Sequence, residues 1–225
     1  MTHVIRINLI KMGETMYKKL DEDTLITILE TGIEEFAGNG LDRSNINVIA
    51  KKSGVSVGVI YKYYKDKDSF FLACVHHSLK LLEQVLRDAV SDEPDVMICI
   101  KRVVYALLDH SRRHSNYNVM YNEITSGSCK RYAAVLAKEI ETRTAFVYEQ
   151  LIEKAKQSGE LNSDIDSRML AFFFDNLLMM LQFSYSCDYY KERMKIFCGE
   201  DVLDNDKKIA EEFIGFIGAA LGRRQ

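Results

Sequence analysis

The sequence predicts an all-α protein, a small three-helix N-terminal head followed by a larger helical-bundle body. Three observations predict it. A 3.6-residue apolar period runs almost unbroken from Asp21 to the C-terminus, Pro94 is the only proline in 225 residues, and alternating strand-like runs are scarce. Apolar residues make up 47% and charged residues 28%, ample for a packed core, so disordered, collagen-like and fibrous chains are excluded.

Residues 1–20 carry Arg6, Lys11, Lys18 and Lys19 without an apolar face. They read either as a basic arm that reaches a partner or as a frayed or mis-assigned start. The first helix then follows. Ile26, Leu29, Ile33, Phe36 and Ala37 share one of its faces, and Gly38 and Gly40 supply its stop. Ser44 or Asn45 caps a second helix of about two turns with Ile46, Ile49 and Ala50 inward and Gly54 as terminator. Ser56 caps a third through Tyr63, and Asp66 caps a fourth that begins at Lys67 and runs towards Val90.

A break is expected around Pro94. Beyond it the pattern places helices near Val96 to His114, Tyr117 to Ser126, Lys130 to Ser158, Asp166 to Tyr190 and Asn205 to Leu221. The domain division that follows is 1–20 arm, 21–68 head and 69–225 body. The five cysteines are odd in number, scattered and without a CxxC pair, which fits reduced thiols, with Cys99 and Cys187 as small core hydrophobes. The apolar tract from Met169 to Phe183 is interrupted by Asp175, Asn176 and Gln182 and is too short to span a membrane, and no export signal stands at the N-terminus. A cytoplasmic location and no membrane partner are expected.

Residues Ser44 to Tyr63 have the form helix, Ser-Gly-Val turn, helix, the geometry of a helix-turn-helix. From Arg43 to Lys67, six basic residues stand against Asp66 alone, a local +5 in a chain of net charge −3. A basic patch on an acidic protein is the footprint of a phosphate-binding surface. Taken together, Phe36, Gly40, Ile46, Ile49-Ala50, Gly54-Val55-Ser56, Gly58, Tyr61, Tyr63-Tyr64 and Lys67 resemble the N-terminal domain of the tetracycline-repressor (TetR) family of transcription regulators. The resemblance covers about residues 22 to 72.

That resemblance implies roles at matching positions. Ser44 or Asn45 would hold a backbone phosphate, and Ser56, Val57, Gly58, Lys62 and Tyr63 would face the groove or its phosphates. Gly58 would permit close approach, while the Tyr61 hydroxyl, Lys67 and the N-terminus of the fourth helix would bind phosphates. The pattern departs from the family at Val48, Val57, Val59 and Tyr64. Val57 can only touch a thymine methyl or read nothing, and Tyr64 is expected in the core.

The resemblance further implies a body that binds a small effector and forms a homodimer, and the residues agree. The helix from Asp166 is apolar nearly all round, so it is buried on more than one side. Arg168, Asp175, Gln182 and Tyr189 make a narrow polar stripe at seven-residue spacing. Phe172, Met179, Phe213, Gly215, Phe216, Gly218, Ala219 and Gly222 are the candidate dimer contacts. Tyr117, Met120, Tyr121, Phe146, Phe173, Asn176 and Met180, with Phe183 and Tyr185 beside them, are the candidate lining of a pliable apolar pocket.

His110 and His114 stand at i and i+4 without a third ligand and read as solvated histidines, so no metal or cofactor is expected. Gly-rich phosphate loops, GxSxG, HExxH and Cys/His dyads are lacking, so an enzyme is the least favoured class. The expected function is sequence-specific binding of an inverted-repeat operator in double-stranded DNA by a homodimeric repressor, released by a small, largely apolar effector. The alternatives are a constitutive DNA-binding dimer, or a helical small-molecule binding protein or enzyme that has lost DNA binding.

Overall fold

The computed structural model describes residues 20–220, apart from 91, 92, 94, 125, 126, 162 and 163. The described residues form ten α-helices and two short 3₁₀ segments, with no strand among them. The basic arm at 1–19, Pro94 and Gly222 lie outside the described residues.

Helix α1 spans Glu22–Arg43 and is capped by the Asp21 carboxylate, which accepts from the Thr24 amide at 2.7 Å. The expected stop falls at Gly40, whose φ of +69° takes the chain out of helical geometry for one last turn to Arg43. Gly38 does not interrupt the helix. Helix α2 (Ile46–Lys52) is capped by Asn45 and helix α3 (Val57–Tyr63) by Ser56. Between them Gly54 takes φ +71° and the Val55 amide reaches back to the Ala50 carbonyl at 3.0 Å, a left-handed cap that turns the chain sharply. Helices this short are stable only through packing. Ile46, Ile49, Ala50 and Ile60 supply it by entering the head core with Ile28, Ile33, Phe36 and Leu41.

Helix α4 (Lys67–Val90) begins at its Asp66 cap, where the carboxylate accepts from the Ser69 amide at 2.7 Å. Its first half belongs to the head core: Phe70 and Phe71 flank Phe36 at ring separations of 5.7 and 5.1 Å, and Cys74 and Val75 are fully enclosed. Its second half, from Leu82 through Leu86 to Ala89, packs in the body core. The division drawn at residues 68 and 69 thus falls inside a continuous α4, in its first turn. Gly32 explains how closely α1 and α4 approach. A methyl group there would lie 2.5 Å from Phe70 Cζ and 2.7 Å from Cys74 Sγ. Gly32→Ala is expected to cost about 1–3 kcal/mol by overpacking, seen as a lowered denaturation midpoint.

The body follows as α5 (Val96–Arg113), α6 (Ser115–Ile124), a 3₁₀ segment (Gly127–Tyr132), α7 (Ala133–Ser158), α8 (Ser167–Ser186), α9 (Asp188–Cys198), a 3₁₀ turn (Val202–Asp204) and α10 (Asp206–Ala220). Two boundaries differ from the sequence expectation. The 3₁₀ segment replaces the first turn expected of α7, and the long helix expected from Asp166 to Tyr190 breaks at Cys187, whose φ of −100° and ψ of 128° are extended. No proline or glycine marks that break, which is why apolar periodicity runs through it. The polar stripe is cut before Tyr189. Cys99 and Cys187 are buried, and all five cysteines are free thiols.

Candidate functional site

The head presents α3 outward. Gly58, Tyr61 and Lys62 are exposed, Val57 and Tyr63 are half-buried, and Ile60 on the opposite face is fully enclosed. The Ser56 hydroxyl accepts from the Val59 amide at 3.3 Å and so starts the helix while remaining exposed. Gly58 has no internal reason to be glycine. A Cβ there would meet only Ser56 Oγ, at 3.8 Å, an ordinary contact.

Two of the expected phosphate ligands are turned to other work. The Ser44 side chain is buried and its hydroxyl donates to the carbonyls of Glu35 (3.1 Å) and Gly40, closing the end of α1. Lys67 donates to the carbonyls of Asp42 (2.8 Å) and Ser44 (3.3 Å), so its charge sits on the C-terminal end of α1 and links it to α4. Asn45 faces solvent as the α2 cap, accepting from the Asn47 amide at 2.9 Å. Tyr63 Oη accepts from the Leu20 amide at 2.9 Å, and Tyr64 packs on Phe70 at 4.9 Å with its phenol pushed up to about 12 by burial. Arg43, Lys51, Lys62 and Lys65 remain on the exposed surface of the head.

The body encloses a cavity of about 60 Å³ between α4, α5, α6, α7 and α8. By comparison, roughly 10–15 Å³ holds one water. Its walls are mainly apolar: Leu79, Leu82 and Leu86 from α4, Leu107 from α5, Met120 and Ile124 from α6, Met179 and Phe183 from α8. Of the residues expected to line it, Tyr117, Met120, Tyr121 and Phe183 do so. Phe146, Phe173, Asn176, Met180 and Tyr185 do not. Phe146, Phe173 and Met180 stand exposed on the outer faces of α7 and α8, Asn176 donates back to the Phe172 carbonyl at 2.6 Å, and Tyr185 donates to Asp206 at 2.9 Å. Helix α8 is apolar all round, so its sequence does not reveal which face turns inward.

Several polar groups converge on this cavity. The Tyr121 hydroxyl donates to Glu141 Oε1 at 2.8 Å, and Asp175 and Gln182 of the expected polar stripe point to the cavity while Arg168, exposed, pairs with Glu149 at 2.9 Å. Burial, then the Glu141 charge, pushes the Asp175 carboxyl up to about 6. Burial, then His114, pulls His110 down to about 4, so His110 is a neutral, buried wall residue rather than a solvated one. Asn118 spends its two amide protons on Ser111 (3.0 Å) and Ser186 (2.8 Å). At the head end, the Tyr117 hydroxyl donates to Glu30 of α1, which also meets His77 Nε2 of α4 at 2.8 Å. Sequence reasoning missed Glu141, Tyr148, Glu30 and His77, because their meeting depends on how four helices pack. No group of three or more His, Cys, Asp or Glu able to hold a metal occurs among the described residues.

A third feature is a set of exposed apolar side chains. Of the seventeen exposed large hydrophobic residues among those described, nine lie on α8, α9 and α10, among them Phe172, Leu177, Tyr189, Ile196, Phe197 and Phe216. Among the candidate dimer contacts, Phe172, Gly215, Phe216 and Ala219 stand exposed. Three do not: Met179 lines the cavity, Phe213 packs on the body core, and Gly218 faces Met97 of α5, with 3.5 Å between its would-be Cβ and Met97 Cε. The contribution of α9 was not legible, since its apolar residues are sparse and it was not expected as a separate helix.

A helix-turn-helix head joined through one long helix to an all-helical body defines the class, a DNA-binding transcription regulator. Residues 28–74 match the family described as bacterial regulatory proteins, tetR family. The chain is 24% identical over 157 residues to the fatty acid metabolism regulator protein of Bacillus subtilis (strain 168), covering 63% of this chain and 73% of that one. Among solved structures it resembles the fatty acid degradation regulator FadR of Bacillus halodurans (TM-score 0.68, 16% identity, 85% of this chain and 98% of that one). It also resembles FadR of Bacillus subtilis in complex with stearoyl-CoA (TM-score 0.67, 16% identity, 84% and 97%). The family match over residues 28–74 and the curated relatives point to the tetR family of transcription regulators. Among the described residues no helix is long and apolar enough to cross a membrane.

Proposed function

We propose that this chain is a dimeric repressor whose grip on an inverted-repeat operator is released when a small, largely apolar effector enters the body cavity. The observation that carries this reading is α4. The same rigid helix holds the head core through Phe70, Phe71, Cys74 and Val75 and forms one wall of the cavity through Val75, Leu79, Leu82 and Leu86. A ligand pocket for a drug-sized molecule occupies about 300–1,000 Å³. A cavity of about 60 Å³ must therefore widen to take such a molecule, and a displaced α4 carries the head with it. The head spacing that fits successive major grooves is lost.

In the bound state α3 enters the major groove, with Gly58 allowing close approach, Ser56, Tyr61, Lys62 and Tyr63 within reach of DNA, and Asn45 at the start of α2 beside a phosphate. The outer face of α8, α9 and α10, through Phe172, Gly215, Phe216 and Ala219 with Tyr189, Ile196 and Phe197, pairs with the same face of a second copy. The reading is tested by titrating the operator complex with a panel of amphiphiles that includes acyl-CoA, fatty acids and alkylamines. At least one is expected to dissociate the complex; a complex that none releases would leave a constitutive DNA-binding dimer.

The Tyr117–Glu30 contact gives a sharper prediction, because it joins a cavity wall directly to α1. Burial and this hydrogen bond hold the Tyr117 phenol above its ordinary range, so it stays a donor. Tyr117→Phe is expected to shrink the ratio of operator affinities without and with effector by about fivefold or more, measured by fluorescence anisotropy. An unchanged ratio would show that coupling runs through packing alone.

A further inference from the structure

The polar end of the cavity has a charge of its own. Glu141 and Asp175 face it, and no lysine or arginine stands among the described residues lining it. Glu141 accepts from the Tyr121 hydroxyl at Oε1 and from the Thr144 hydroxyl at Oε2 (3.5 Å), whereas Asp175 makes no hydrogen bond or ion pair with any described residue. Tyr148 is only 2% exposed, lines the cavity, and its hydroxyl likewise has no hydrogen-bond partner among the described residues. Both carboxylates are close enough for their charge to act on that phenol. Polar groups that face a cavity without a hydrogen bond to the protein are open to a ligand.

We infer that the effector of this cavity is a cationic amphiphile, an apolar body ending in a protonated amine that seats against Glu141, Asp175 and the Tyr148 hydroxyl. The inference rests on reading the cavity as the effector site and names the chemistry that site takes. A protonated amine offers up to three N–H donors to acceptors that have too few. It also supplies the countercharge that the pair of carboxylates lacks, while apolar walls hold its tail. A carboxylate or phosphate head placed there would meet two like charges in a poorly solvated site.

The acid with the raised pKa adds a pH dependence. Asp175 of α8 feels the charge of Glu141 of α7 and in turn acts on Tyr148 of α7 and Tyr121 of α6, and His110 of α5 shares the cavity lining. Only Asp175 is displaced into the range between about 5 and 7; the phenols are pushed up and His110 is neutral there. An amine therefore binds more tightly at about pH 7.5 than at about pH 5.5, where Asp175 must first lose its proton.

The test is calorimetric titration of the full-length protein with decylamine, decan-1-ol, decanoate and decanoyl-CoA, which share one tail and differ in head. Decylamine is expected to bind at least about tenfold more tightly than decanol or decanoate. Asp175→Asn and Glu141→Gln are each expected to erase most of that preference, and Asp175→Asn to flatten its pH dependence. Thermal denaturation of each variant separates lost binding from lost folding. Tighter binding of decanoate, decanoyl-CoA or decanol than of decylamine overturns the cationic assignment and leaves the cavity an effector site. Failure of all four to bind a protein that still binds its operator overturns the assignment and the effector reading together.

Discussion

Gly58→Ala is expected to weaken operator binding by roughly tenfold to a hundredfold while leaving the protein as stable as before or slightly more so. The two halves of this expectation have separate causes. Inside the protein the new methyl group meets only Ser56 Oγ at 3.8 Å, and Gly58 has no positive φ. Alanine in a helix is favoured over glycine by about 1 kcal/mol, so α3 gains. Outside, the methyl group projects from the exposed face of α3, where in the proposed complex the backbone approaches the base edges. Anisotropy titration on a selected operator reads the loss, and thermal denaturation reads the stability. A variant that binds DNA normally would mean that α3 does not enter the groove by this face.

Asp175→Asn is expected to stabilise the ligand-free protein, by an amount that depends on pH. The carboxyl titrates near 6 when folded against an ordinary value of 3.8, so the folded protein holds this proton more tightly than the unfolded chain. Below about pH 3.8 both states carry the proton and the substitution changes little. As pH rises towards 6 the unfolded chain ionises first, and the native state loses stability relative to it. Above about 6 the loss is complete, on the order of 3 kcal/mol. Asparagine removes it. Denaturation midpoints at about pH 5 and pH 8 should show the variant ahead by several degrees at the higher value and by about half as much at the lower, given roughly 2–4 °C per kcal/mol for a chain of this size. An equal gain at both would mean that the charge of Asp175 is not what costs stability.

The head was legible because its residues act locally. Asn45, Ser56 and Asp66 cap helices within three residues of themselves, and Gly54 turns the chain where it stands. What sequence could not give there is the use of Ser44 and Lys67. Both bind carbonyls at the end of α1, contacts that arise only when α1, α2 and α4 are already assembled. Gly32 is a similar case: it reads as an unfavourable residue in mid-helix until Phe70 and Cys74 are seen against it.

The body was legible in its helices and less so in its facing. Tyr117, Met120 and Tyr121 lie on the amphipathic α6, where one face is plainly apolar, and all three line the cavity. On α8 the apolar residues surround the axis, so Phe174 and Leu178 turn inward while Phe172 and Phe173 turn out with no difference of type to announce it. Asp175 was visible as part of a polar stripe. Its meaning depends on Glu141 and Tyr148, which arrive from a helix about thirty residues away in sequence, and only the packing of α7 on α8 brings them together.

The most direct test of the regulator itself is selection of binding sites from random duplex DNA with the full-length protein, followed by affinity on the enriched sequence as a function of salt. The head geometry and the proposed dimer predict an enriched inverted repeat, with log affinity falling steeply as log salt rises because several phosphates are neutralised in each half-site. Weak binding with no enriched sequence would contradict a specific dimeric regulator and leave the body cavity to be understood without DNA.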